Sequence, residues 1–369
     1  MPDHDVAIVG AGPVGVLLAC LLAQRGIDVA VFEARSGADH RSRAIGIHPP
    51  GSAALDAVGI GAAVRDEALP LDGGEVLCGR RVLASISFTQ RQRVLILPQH
   101  RTDALLRCRL SQLRGDALRP GRAVAGVQDE GDIVSLSFET SRDVTASFVI
   151  AADGVRSGIR HQLGIGWRPR PGRGWYAMAD VPDTDRVPRA KLHCEPDGLV
   201  ESFPLPGGRR RWVVSDPLRS LGDTTAFMDA IQQRTGIPLD LPAGTAPTVF
   251  PARQHRASHL AEGRIVLVGD AAHETSPIGG QGMNLGWAAA MHLGTAIEHS
   301  LRDGHPDFGR YERDVLHTAA RAQRRSFFYM GMGRAARGPV LLARNAVIRA
   351  LGTAPLRART ADMITMQGR

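Results

Sequence analysis

The sequence predicts a mixed α/β fold joined to a second, antiparallel-sheet unit and a helical C-terminus. Three observations carry this. The chain opens on apolar run, glycine turn, helix pattern and second apolar run, in "DVAIVGAGPVGVLLACLLAQRGIDVAVFEA". Its middle changes to short alternating runs broken by "PDG" and "PGG", which are turn signals between strands. Its end, "RRSFFYMGMGRAARGPVLLARNAVIRALG", is apolar with interspersed arginine.

With 369 residues, 43% of them hydrophobic, the chain can bury the cores of two or so domains. The formal net charge is +8, yet Lys191 is the one lysine, and the arginines are scattered apart from Arg209 to Arg211. A nucleic-acid reader concentrates its charge on one stripe, so no nucleic-acid partner is expected. A positive field also suits an anionic ligand such as a phosphorylated cofactor. Cys20, Cys78, Cys108 and Cys194 form no C-x-x-C pair. That argues against a zinc site or a disulfide framework and fits a reducing cytoplasm. There is no H-E-x-x-H, and His255 and His259, four apart, lack an acidic ligand pattern. They read as surface residues, and no metal is expected.

Val6 to Ala23 is uncharged over 18 residues, which just reaches the length of a membrane span. Asp3 and Asp5 precede it and no Lys or Arg does, whereas a signal peptide starts positive. Glycines and a proline also punctuate it. Val6 and Ile8 instead read as a short buried parallel strand. Gly10, Gly12 and Gly15 then give G-x-G-x-x-G at a strand-to-helix turn. Gly10 permits the tight turn, Gly12 lets the backbone approach a pyrophosphate, and Gly15 lets helix and strand pack closely. A helix from about Pro13 to Arg25 aims its free N–H groups at the phosphates. "GIDVAVFE" is the second strand, and Glu33 closes it, 18 residues after Gly15. A carboxylate there accepts from both ribose hydroxyls and repels a 2′-phosphate, so the ligand is NAD-like or FAD-like. The two other G-x-G-x-x-A matches, at Gly172 and Gly331, lack a preceding strand and a following helix and are read as accidents.

Two later motifs separate NAD from FAD. "VIAADGVRSGIR" carries Asp153, Gly154, Ser157 and Arg160 after the apolar run "SFVIAA". "GRIVLVGDAAHETSPIGGQGMNLG" places Asp270 at the end of another apolar run, followed by Pro277, Gly279, Gly280 and Gly282. A helix beginning near Gly282 points its positive dipole end at whatever lies on that loop. With the N-terminal glycines, these motifs resemble the class A FAD-dependent monooxygenases, the para-hydroxybenzoate hydroxylase-like aromatic hydroxylases, in element order over about residues 3 to 325.

The resemblance implies a Rossmann-like FAD-binding domain, a second α+β antiparallel-sheet substrate domain and C-terminal helices. The expected FAD-binding domain is discontinuous, over 1–75, 98–167 and 259–325. The substrate domain takes 76–97 and 168–258, and the C-terminal helical segment 326–369. The implied cofactor contacts begin with Gly10, Gly12, Pro13, Val14, Gly15, Glu33, Ala34 and Arg35. Arg43 matches an arginine after the second strand that contacts FAD. Arg101 matches an arginine near the ribityl chain, with Gln99 as the competing assignment. Asp153 and Gly154 match a motif tied to FAD and NAD(P)H. Asp270 matches the aspartate that bonds a ribityl hydroxyl. Pro277, Gly279, Gly280, Gly282, Met283 and Asn284 match the loop and helix start along the isoalloxazine.

The implied activity is monooxygenation. NADPH or NADH, bound transiently, reduces FAD, and O2 adds to form a flavin C4a-hydroperoxide. That species hydroxylates an aromatic or other electron-rich small molecule, in secondary metabolism or aromatic catabolism. The alternatives are an epoxidase or other flavin oxidoreductase of a lipophilic or polyketide substrate, and a redox-silent FAD-binding protein. Halogenation is disfavoured, because the chain has no W-x-W-x-I-P motif. The chemistry belongs to the flavin, so no side chain need be a nucleophile, and there is no G-x-S-x-G elbow. His273 is the weak candidate for an acid–base role; the competing role is positional, with Glu274 as a loop contact. A monomer or homodimer in the cytoplasm, with no transmembrane segment, is expected.

In the middle segment a helix is expected at about Asp223 to Arg234, and "GEVLCGRRVLASISF" should add strands. Arg189, Lys191 and His193 share a strand face that reads as solvent-facing. Tyr176, Phe203 and Trp212 are apolar candidates for a pocket wall, with core packing as the default. The C-terminal helices should pack on the FAD-binding domain; the other reading is a helix lying on a membrane surface.

Overall fold

The computed structural model describes residues 1–37, 44–139, 141–183, 187–242 and 244–367. Strand His4–Val9 lies between Val29–Glu33 and Val144–Ala151, parallel to both, in an eight-stranded sheet. Val6 sits opposite Val29 on one side and Phe148 on the other. Strands covered on both faces must be apolar throughout, and Val6, Ala7 and Ile8 are 0% exposed. Ile265–Leu267 continues the parallel order beyond Val144–Ala151. Four neighbouring parallel strands therefore end on one edge. From their carboxyl ends emerge the Gly10 turn, Glu33, Asp153 and the Gly269 turn. Open α/β sheets bind ligands on that edge.

Among the described residues the helices run α1 (Pro13–Gln24), α2 (Pro49–Ala57), α3 (Gly61–Glu67), α4 (Gln99–Leu113), α5 (Gly158–Gln162), α6 (Thr224–Thr235), α7 (Gly282–Asp303), α8 (Gly309–Met332), α9 (Gly338–Leu351) and α10 (Ala354–Ile364). None of them is long and apolar enough to cross a membrane. The uncharged run at the N-terminus is split between the first strand and α1. Helix α1 is apolar all round because it is enclosed: Gly15 to Leu22 are buried, packed on the sheet, α4 and α7.

A second sheet has seven strands in the order Thr248–Ala252, Gly174–Pro182, Arg209–Ser215, Gly198–Leu205, Ala190–Glu195, Gly73–Cys78 and Arg81–Ser87. The segment expected at 168–258 supplies five of them, and "GEVLCGRRVLASISF" supplies the last two. One face carries Ala177, Val200, Trp212 and Val214 and is covered by Phe227 and Ile231 of α6. Asp223 caps that helix by accepting from the Ala226 N–H at 3.0 Å. The other face carries Tyr176, Cys194, Leu199 and Val213, packed with Ile278, Met330 and Ile348.

The structure corrects several expectations about this sheet. His193 does not face solvent: it is 4% exposed, opposite Val200 on the side that α6 covers. Trp212 belongs to the same covered side, in keeping with the default reading of it as core packing. Helices α9 and α10 pack on strand Arg81–Ser87 of this sheet rather than on the unit built around the eight-stranded sheet, where they were expected. The edge strand leaves Leu83 and Ala84 to be covered, and the guanidinium of Arg344 on α9 donates to the carbonyls of Cys194 and Glu195. His255 is also no free surface residue. Its ring stacks on Trp167 at 5.3 Å and its Nδ1 lies 2.6 Å from Glu274.

Helix α7 is seated on α1 by close packing. A Cβ built on Gly286 would lie 2.5 Å from Val14 Cγ2, and the buried Trp287 donates through Nε1 to the Pro13 carbonyl at 3.1 Å. A Gly286→Leu variant should be destabilised by about 1–3 kcal/mol, the usual cost of overpacking a tight contact. A lowered thermal-unfolding midpoint of the apoprotein checks this.

Candidate functional site

The site is built where the parallel strands end. Gly10 has φ +105°, and a Cβ there would lie 2.4 Å from the Ala152 carbonyl oxygen. A Cβ on Gly15 would lie 2.1 Å from the Gly10 carbonyl oxygen. These two glycines are needed by the protein's own packing. Gly12 is different: a Cβ on it would meet nothing within 4 Å. Its smallness serves no packing contact, which fits a turn that a pyrophosphate approaches. Gly12 also caps α1 without a side-chain hydrogen bond, so the first N–H groups are available to an anion.

Glu33 is 7% exposed. It accepts from the Ala11 N–H at 2.9 Å and from the Arg35 N–H and Nε, both at 3.0 Å. Burial alone would raise its pKa, but the Arg35 and Ala11 hydrogen bonds outweigh it and hold the carboxyl below its ordinary value. The group is an ionised acceptor, as ribose hydroxyls require. Arg107 on α4 donates to the Ala11 carbonyl at 2.7 Å and braces the same turn.

On the far side, Asn284 is 0% exposed. Its Oδ1 accepts from the His48 N–H at 2.9 Å, and its Nδ2 donates to the carbonyls of Gly46 and Gly280 at 3.0 and 3.1 Å. The stretch 44–48 is thereby held against the loop 277–282. Ile278 in that loop is buried, and its carbonyl accepts from Ser326 of α8 at 2.8 Å. Pro277 and Gly280 stay exposed. Helix α7 starts at Gly282 without a side-chain cap. Trp287 and Val14 place this start beside that of α1, so two positive helix ends converge.

Asp153 accepts from the Ile159 N–H through Oδ2 at 3.3 Å, while Oδ1 is sealed without a partner. Arg160, seven residues on in the same motif, donates to the carbonyls of Ala271 at 2.9 Å and Val155 at 2.8 Å. Its guanidinium lies 3.8 Å from the Trp167 ring centroid. This arginine ties the Asp153 motif to the Asp270 motif. Asp270 is exposed in the short turn Gly269–Ala271, on the edge where the other motifs meet.

The remaining expected residues fall as follows. Ala34 and Arg35 are exposed beside Glu33, and Met283 is half-buried at the start of α7. Arg43 lies outside the described residues. The exposed Arg101 makes a bidentate pair with Glu67, both contacts at 2.9 Å, while Gln99 bonds to Ala44 through backbone and side chain. His273 is 2% exposed, and its Nδ1 is sealed without a partner. Burial pushes its pKa down to about 4, so it is neutral at pH 7. Two residues were not singled out from the sequence. Arg107 gives no local signal. His48, in "IHPP", precedes α2 and has Nδ1 sealed; a Cβ on Gly280 would lie 3.4 Å from its Nε2. Burial also lowers its pKa to about 4.

These two histidines set a pH dependence. In the unfolded chain each takes a proton near the ordinary 6.5, whereas in the folded chain each does so only near 4. Stability is therefore full above pH 6.5 and is lost as pH falls through the window from 6.5 to 4, by about 3 kcal/mol per histidine. Thermal unfolding between pH 7 and 4 should show this loss, and His273→Gln should make it shallower.

The FAD binding domain family matches residues 3–326. The chain is 30% identical over 315 residues to a 12-dehydrotetracycline 5-monooxygenase/anhydrotetracycline 6-monooxygenase of Streptomyces rimosus, covering 79% of this chain and 62% of that protein. It is 28% identical over 337 residues to a para-nitrophenol 4-monooxygenase of a Pseudomonas species, covering 81% of this chain and 79% of that protein. The chain thus spans about 62% of the length of the first of these relatives. Among solved structures, p-nitrophenol 4-monooxygenase from Pseudomonas putida superposes with a TM-score of 0.85 at 23% identity, over 99% of this chain and 98% of that one. Anhydrotetracycline hydroxylase from Streptomyces rimosus superposes at 0.80 and 26% identity, over 98% and 76%. The turn, the carboxylates and the two helix starts described above are those of one fold, and the chain belongs to the FAD binding domain family of the aromatic hydroxylases.

Proposed function

We propose that this chain is an FAD-dependent monooxygenase that uses NAD(P)H and O2 to hydroxylate an aromatic or other electron-rich small molecule. One observation carries the reading. The three motif turns and the starts of α1 and α7 converge on one strand edge, and the flavin loop presses Ile278 into the apolar face of the second sheet. A planar cofactor held there would have a pocket-forming sheet above it. The names of the relatives, which act on anhydrotetracycline or para-nitrophenol, support an aromatic substrate.

FAD, when bound, supplies the electron transfer and oxygen chemistry. The chain's own residues would do the rest. The backbone at Gly12 and the first N–H groups of α1 would take the pyrophosphate. Glu33 would accept from the ribose and Asp270 from the ribityl chain. The start of α7 would favour negative charge on the pyrimidine edge of the ring. The sheet face and Ile278 would keep water away from the reacting atoms. The reductant, NADH or NADPH, and a cytoplasmic setting belong to the same proposal; all four cysteines are free thiols.

The test is direct. Purified protein should carry or take up yellow flavin, oxidise NADH or NADPH faster when a phenolic substrate is added, and yield a product heavier by one oxygen atom. Protein that binds no added FAD would sink the proposal. Flavin without nicotinamide oxidation would leave a redox-silent binder, and an epoxide product would favour the epoxidase alternative. Asp270→Ala should weaken FAD binding by at least about 10-fold, the worth of a charge-assisted hydrogen bond. Flavin fluorescence titration against the wild-type protein measures it.

A further inference from the structure

The sheet face that meets the flavin loop carries one row of directly opposed residues across all seven strands. It reads Thr248, Met178, Val213, Glu201, Leu192, Val76, Ala84. Opposed residues share a face, and apart from the edge threonine every member but one is apolar. The exception is Glu201, on the central strand. Val213 and Met178 pack in the cluster that contains Ile278 of the flavin loop. Leu192, on the other side, packs in the cluster that contains Ile45, three residues before His48. Glu201 thus lies in a row whose other members pack in the two clusters that hold Ile278 and Ile45.

Glu201 is 5% exposed, and it makes no hydrogen bond or ion pair with any described residue. A buried carboxylate without a partner is costly. Other buried acids here are bonded from within: Glu195 accepts from the Gly79 N–H at 2.8 Å through one oxygen, and Asp216 accepts from the N–H groups of Ser220 and Leu221 through both. Neither oxygen of Glu201 is among the fully sealed polar atoms of the interior, so the carboxyl still reaches open space. The nearby cations are engaged elsewhere: Arg211, on the same face, pairs with Asp180 at 2.6 Å, Arg334 and Arg344 act on Tyr176 and Cys194, and burial is what shifts Glu201. Tyr176 on the neighbouring strand has its pKa raised by burial and by Glu201 itself, and Cys194 is pushed up to about 12, so both are neutral at pH 7. Tyr329 of α8, in the same cluster, is likewise raised to about 12. Burial alone brings Glu201 to about 7, where a carboxyl can both hold and release a proton near neutral pH.

Resting on the hydroxylase reading above, we propose that Glu201 is the substrate-recognising base: its carboxylate accepts the hydrogen bond of a phenolic hydroxyl and takes its proton. In that step the phenolic O–H bond breaks and the carboxyl O–H bond forms. The electron pair left on the phenolic oxygen spreads into the ring and enriches the ortho and para carbons, where an electrophilic oxygen is accepted. The substrate class is therefore an arene with a free hydroxyl, bound against the apolar residues of this row. An ether or an unsubstituted ring leaves the buried carboxylate unpaired and is rejected for that reason.

The test uses the FAD-loaded protein with 4-nitrophenol and 1-naphthol, each beside its methyl ether. Affinity is read from the perturbation of the flavin absorbance, and turnover from oxygenated product per nicotinamide oxidised. The wild type should bind each phenol at least about 10-fold more tightly than its ether, the worth of a hydrogen bond to a charged group. Glu201→Leu should erase that ratio. Glu201→Gln keeps the shape but cannot take the proton; it should retain flavin and phenol binding while product formation falls about 100-fold. An unchanged phenol-to-ether ratio in Glu201→Leu, or unchanged product formation in Glu201→Gln, would overturn the proposal. Wild-type protein that oxygenates ethers as readily as phenols would overturn Glu201's role and leave the hydroxylase reading standing. Wild-type protein that binds FAD but oxygenates no arene would overturn both.

Discussion

Asn284, itself fully buried, donates to the carbonyls of Gly46 and Gly280 and accepts from the His48 N–H. Losing one partner would strand a buried polar group, at a cost of about 1–3 kcal/mol. The amide therefore fixes the register of α7 against the stretch 44–48 and against the loop 277–282. A Cβ on Gly51 would lie 2.1 Å from its Oδ1, so α2 can approach only because that position is glycine. Once α7 is fixed, Trp287 and Val14 set the start of α1 beside it, and the rest of the site follows from these positions.

The electrostatics of the site rest on backbone more than on side chains. The two uncapped helix starts supply partial positive charge where anionic parts of a cofactor would lie. Arg160 is buried, but its guanidinium serves the Ala271 and Val155 carbonyls and the Trp167 ring. It is a bracket between two turns. His48 and His273 are kept neutral by burial, while Glu33 stays ionised because Arg35 and Ala11 bond to it. A positive field from fixed dipoles does not vary as side chains titrate.

The two faces of the second sheet have different fates. One is closed by α6 into a conventional core with Trp212 and Phe227. The other meets α8, α9 and the loop 277–282, with Met178, Leu192 and Val76 only partly buried. The row through its centre is apolar between the edge Thr248 and Ala84 except at Glu201, while the next row carries the Asp180–Arg211 pair. Helices α9 and α10 complete the edge of this sheet, and Arg344 among their apolar residues bonds the strand carbonyls of Cys194 and Glu195.

The sequence by itself determined the parts whose physics is local. Gly10, Gly12, Gly15 and Glu33 are legible because a tight turn, a phosphate approach and a strand-end acid demand those residues at those spacings. Asp153, Asp270 and the Pro277–Gly282 loop are legible as strand-end motifs, and a helix at about Asp223 to Arg234 is legible too. The alternating strands at 168–258 were visible for the same reason. Tertiary structure alone decided which motifs meet and which faces are covered. Nothing local tells that His48 is sealed against Gly280, that Arg107 braces the Ala11 carbonyl, or that His193 lies under α6. Strand alternation puts Arg189, Lys191 and His193 on one face, but only the packing of α6 says whether that face is wet. Glu201 reads in the sequence as one acid among many. Its neighbours are cross-strand partners from 76 to 248, and a carboxyl's environment, unlike a turn's geometry, is made by residues distant in the chain.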